Sequence, residues 1–204
     1  MPRIVLVLLS ALSLGALLAL SGDILPLRVG LAGLLLMLAA ALASRRRWLL
    51  LADAAPGSPE RALWLGLAST AVVAAHLFAS WWQIGPNMIM HSAAMHALGI
   101  DNWTLVAGAF IAHWVARDPQ PREDERDRWI AARGLKLAYY GLLSILLAQI
   151  LVLGFVNRGW VMALSNLSIA HGLILAIMVS VIIDHAARLH AYASDAAFAA
   201  AMDR

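Results

Sequence analysis

The side chains of this chain best suited to chemistry are its seven histidines, His76, His91, His96, His113, His171, His185 and His190. Neutral imidazoles hold haem iron and most transition metals. Position along the chain suggests two haem b sites. His76 with His96 would form an outer one, and His113 with His185 an inner one, as in a membrane protein that passes electrons across. A second grouping, His76, His91, His96 and Asp101, would suit a metal ion or a proton. The spacing argues against both. His91 and His96 stand five residues apart, which does not align them on one helix face. No His-x-x-x-His pair occurs. The expectation is therefore no cofactor, with haem b or a transition metal as the alternative.

Three further polar residues fall within apolar runs: Gln149, Asn166 and His171. Ionisable or polar groups at membrane depth call for a functional hypothesis. Here it is a small-solute pathway, with Ser165, Ser168 and Gly172 on one helix face and Asn166 beside it. The plainer reading is hydrogen bonding between helices. Enzyme chemistry has little to start from. With no cysteine there is no disulfide, thiolate metal site, cysteine nucleophile or c-type haem attachment. No serine–histidine–acid set, paired carboxylates or phosphate-cradling glycine loop can be read. Catalysis is not expected.

The elements that must position these groups are membrane helices. The chain is 62% hydrophobic and 13% charged, against roughly 25% charged in soluble domains. Its mean hydropathy is +0.79. The apolar residues fall in blocks long enough to cross a bilayer as helix, and they lack the alternation of barrel strands. The expected fold is all-α, a polytopic bundle forming one domain over residues 1–204. Six spans are predicted, at about 4–20, 27–43, 62–80, 102–117, 135–156 and 161–183. The first also has features of a signal peptide, with Arg3 before an apolar core and Ala19-Leu20-Ser21-Gly22 after it. Its long core and poor cleavage site favour a retained anchor. The stretch from Met88 to Val115 allows two readings. One is a single long helix with Asp101 buried. The preferred one is an outer interfacial helix 87–98 ended by Gly99, then a crossing capped by Asp101. Tight outer connections at 21–26 and 157–160 predict that spans one and two, and five and six, are antiparallel neighbours.

Of the fifteen Lys and Arg residues, all but Arg28 and Arg158 fall on one side of this topology. Cytoplasmic loops carry such an excess, so both termini are expected in the cytoplasm of a bacterial inner membrane. The same distribution removes the nucleic-acid reading that a pI near 9.9 invites, because no basic run is interleaved with stacking aromatics.

The segment 117–136 is the most distinctive polar stretch. Asp118-Pro119-Gln120-Pro121 keeps the chain extended. Glu123, Asp124, Glu125, Arg126, Asp127 and Arg128 then precede Trp129, with acids placed to favour a helix dipole. Two readings stand: a solvated helix start, or a docking surface for a cytoplasmic or membrane partner. Asp124-Glu125-Arg126-Asp127, Ile130, Arg133-Gly134 and Tyr139-Tyr140, with Asn166 in the next span, resemble a pattern in small bacterial multi-pass inner-membrane proteins. The resemblance covers the C-terminal part only. It implies an accessory or transporter-linked role and no activity. The leading expectation is an accessory or interaction subunit in the lipid bilayer that binds a protein partner and no nucleic acid.

Overall fold

The computed structural model describes residues 2–22, 27–51, 57–118 and 124–202, with side chains described as far as Ser194. Among the described residues there are seven helices and no strand: α1 (Pro2–Leu20), α2 (Val29–Leu51), α3 (Ser58–Ile84), α4 (Ala93–Ala116), α5 (Glu125–Phe155), the single-turn α6 (Gly159–Met162) and α7 (Asn166–Met202). Five of them, α1, α2, α3, α5 and α7, are long and apolar enough to cross a membrane. This is a membrane-embedded helical protein. α4 has 24 residues, about 36 Å of helix, and so matches the others in length. His96, Asp101, Asn102 and His113 make it more polar.

The expected division of α4 into an interfacial helix 87–98 and a crossing 102–117 is corrected by one continuous helix. Its N-cap is Ser92, whose side chain accepts the Met95 N–H at 3.3 Å. The chain reaches it through a turn in which Gly85 takes φ +90°, a conformation that glycine alone adopts without cost. Away from water, backbone groups are best satisfied by unbroken helix. Asp101 and Asn102 sit inside that helix because neighbouring helices bond their side chains. The last span also starts later than expected. α6 ends at Met162, and Ser165 then accepts the Ser168 N–H at 3.2 Å to open α7.

α3 is the hub, flanked by α1, α4 and α7. It runs parallel to α1: Ile4 clusters with Leu63 and Leu67, and Gly15 meets the Val72 carbonyl. α2 runs parallel to α4, since Gly30 abuts Asp101 and Leu34 abuts Gly108. A Cβ on Gly30 would lie 2.7 Å from the Asp101 Cα, so only glycine permits this approach. Small residues at such contacts let helix backbones close up where lipid offers no hydrophobic drive. α1 and α2 are therefore each committed to a different neighbour and barely touch. The expected packing of spans one and two against each other does not form. α5 and α7 do form an antiparallel pair, shown by Asp127 with Tyr192, Gly134 with Asp184 and Gln149 with Gly172. Two ends result. One carries Arg28 and Arg158, and the other carries the remaining described Arg and Lys residues.

Candidate functional site

Toward the arginine-poor end, α2, α3 and α4 meet around a polar cluster. Asp101 Oδ1 accepts the Gly30 backbone N–H at 3.1 Å. Gly30 lies in the first turn of α2, where backbone N–H groups have no partner within the helix. Asp101 thus caps a helix, as the sequence suggested, but that helix is α2 and not its own. One residue on, Asn102 Oδ1 lies 3.0 Å from Nδ1 of His76 on α3. A carbonyl oxygen only accepts, so His76 donates through Nδ1. His76 is 3% exposed and belongs to the α3 core. The cluster ties three helices together through part-buried hydrogen bonds.

This arrangement uses two members of the expected metal set for packing. His91 and His96 are exposed, and His96 lines an open recess with Met90, Met95 and Trp103. Among the described residues no three His, Asp or Glu side chains gather to hold a metal ion. The outer haem pair is not assembled either, since His76 faces Asn102 inside the bundle while His96 lies on the surface. At the other end, the His185 ring fills the space above Gly66, and its Nδ1 donates to the Val181 carbonyl at 2.8 Å. His113 lies within electrostatic range of His185. It lines clefts between α1, α2, α3 and α4 that His185 does not line.

The residues of the solute-pathway reading separate as well. His171 Nδ1 donates to the Leu167 carbonyl of its own helix at 2.8 Å. Gln149 Nε2 donates to the Gly172 carbonyl at 3.0 Å, joining α5 to α7. Asn166 is exposed at the start of α7. His171 does line a recess of about 230 Å³ with Asn102 and Trp103. That is below the roughly 300 Å³ at which small-molecule sites begin, and Gln149 and Asn166 do not reach it. Ser168 is fully buried and donates to the Pro86 carbonyl, which also accepts the Ser165 N–H at 3.1 Å. These serines hold the turn before α4 against the start of α7.

At the arginine-rich end, the acidic stretch is built into the start of α5. Asp124 and Asp127 form a capping box: Asp127 N–H donates to Asp124 Oδ1 at 2.8 Å, and Asp124 N–H to Asp127 Oδ2 at 3.0 Å. Asp127 also accepts from the Tyr192 hydroxyl at 2.5 Å, across to α7. Arg126 lies 5.4 Å from the Tyr192 ring. Asp184 pairs with Arg188 at 2.8 Å, and both side chains pack over Gly134. Of the six residues expected to bind a partner, Asp124, Arg126 and Asp127 are thus engaged within the fold. Glu125 and Arg128 are exposed on α5, and Glu123 lies outside the described residues. Sequence reasoning missed the role of Tyr192. A phenol sixty-five positions from Asp127 in the chain carries no local signal.

No protein-family model, curated protein sequence or solved structure matches the chain.

Proposed function

We propose that this protein is a non-catalytic subunit of a bacterial inner-membrane assembly, and that it presents α5 to a partner helix. The observation that carries the reading is the isolation of α5. Its 31 residues pack mainly against α7, with Ile130 near its start reaching Ile4, Leu63 and Leu67, and only 6% of its most apolar stretch is buried. Glu125, Trp129, Lys136, Tyr140, Leu143, Leu147 and Ile150 lie along its outward side at helical spacing. That stripe is charged and aromatic at the arginine-rich end and aliphatic beyond it. It offers a partner both a water-facing contact and a packing surface within lipid. The arginine asymmetry further supports six crossings with both termini in the cytoplasm, α4 being the sixth.

The test is the size of the particle extracted from native membranes in mild detergent. The wild type is expected to migrate as a complex larger than the single chain. Leu147→Glu and Glu125→Lys are expected to reduce it to the single chain without altering its unfolding temperature. A wild type that migrates as the single chain would remove the proposal.

A further inference from the structure

The weak contact between α1 and α2 leaves a cleft of about 350 Å³ toward the arginine-rich side of the bundle. Its floor is Ala68 and Val72 of α3 with Ala109 and Ala112 of α4. Its lips include Ser10 of α1 and Ala40 of α2, both exposed, so it opens sideways to lipid. The lining is almost wholly apolar. Along α1 it runs from Leu14 to Leu6, about 12 Å at 1.5 Å per residue. One leaflet of hydrocarbon is about 15 Å deep, half of the usual core thickness.

The cleft does not end blindly. Leu65 and His113 line both it and a second recess of about 190 Å³, whose walls include Ser58, Arg61, Arg117 and Asp118. Arg45 stands beside that recess and donates to the Val115 carbonyl at 3.1 Å. Arg61 lies 5.7 Å from the Trp48 ring. Two arginines, Arg61 and Arg117, and one aspartate, Asp118, thus line the recess where the apolar cleft meets the polar end. Basic pockets between helices in this position suit anionic lipid head groups. Guanidinium matches phosphate oxygens in geometry as well as in charge.

We propose that the cleft binds one acyl chain of an anionic phospholipid, with the phosphate held by Arg61 and Arg117. The apolar walls fix the chain class, and the excess of positive charge selects an anionic head group over a zwitterionic one. The site is independent of α5 and of any protein partner, so it stands whether or not the subunit reading holds.

The experiment is native mass spectrometry of the full chain, purified in detergent and offered equal amounts of dioleoylphosphatidylglycerol and dioleoylphosphatidylcholine. One phosphatidylglycerol per chain is expected to be retained in preference. Arg117→Gln is expected to weaken phosphatidylglycerol retention about fivefold while leaving phosphatidylcholine unchanged. Ala40→Phe, at an exposed lip that the core does not use, is expected to remove both lipids. Arg158→Gln, at the opposite end, is expected to change nothing. Equal retention of the two lipids, indifference to Ala40→Phe, or displacement of phosphatidylglycerol by excess inorganic phosphate would each overturn the proposal.

Discussion

α3 and α5 are both long apolar helices, with mean hydropathies of 1.7 and 2.0 over their most apolar stretches, yet 56% of that stretch is buried in α3 and 6% in α5. Hydropathy places both in the membrane and does not separate them. Side-chain size does. α3 carries Gly66, Ala68, Ala71, Ala74 and Ala75, and three helices close on it. α5 has its buried small residues, Gly134 and Ala138, with Gly141 on the side that meets α7. Its larger residues elsewhere are mostly leucine, isoleucine and tyrosine, and its other small residues, such as Ala132, Ala148 and Gly154, are exposed. In lipid, where tails are as apolar as leucine, close packing of small residues is what draws helices together. The hub is therefore the helix with small residues on several sides, and the peripheral helix is the one with a single small-residue seam.

Substitutions on the two helices should separate them most sharply at Gly66. Gly66→Leu drives a side chain into the His185 ring and should cost about 3 kcal/mol through overpacking, read from unfolding curves in detergent. A variant as stable as the wild type would break the idea that α3 is held by contact at glycine. Next comes the polar tie between α3 and α4. Asn102→Ala leaves the buried His76 N–H without its acceptor and should cost about 2 kcal/mol. The first turn of α5 should be less sensitive. Asp124→Ala removes half of the capping box and should cost about 1 kcal/mol, seen as faster amide exchange at Glu125–Arg128 with α3 unaffected. On the outward side of α5, Leu147→Ala should change stability by less than about 0.5 kcal/mol. A larger loss there would mean that α5 is packed more closely than the comparison allows.

The membrane class was legible because blocks of apolar residues have no other stable use at that length. What could not be read was which helices touch. Loop length suggested that spans one and two would pair, but Gly15 and Gly30 find their partners on α3 and α4. A glycine in a sequence shows that close approach is allowed and does not name the neighbour. Asp101 shows the same limit. A carboxylate beside Gly99 looked like a local helix start, and capping is indeed its role, but across 71 positions of sequence to Gly30. The histidines could be counted in the sequence but not paired with partners. His76, His171 and His185 each satisfy Nδ1 within the bundle, and what decides their use is the partner of each ring. The acidic stretch was partly legible: its helix-start character is seen in Asp124 and Asp127, whereas the Tyr192 contact needed the fold.

The central claim, that α5 faces a protein partner while other exposed helix surfaces face lipid, is tested most directly by photo-crosslinking in native membranes. Leu147 on α5 and Leu9 on α1 are matched in exposure, at 60% and 59%. A photoreactive side chain at Leu147 should give a discrete protein adduct of higher mass, and one at Leu9 should give only lipid adducts. Lipid adducts alone at both positions would contradict the account.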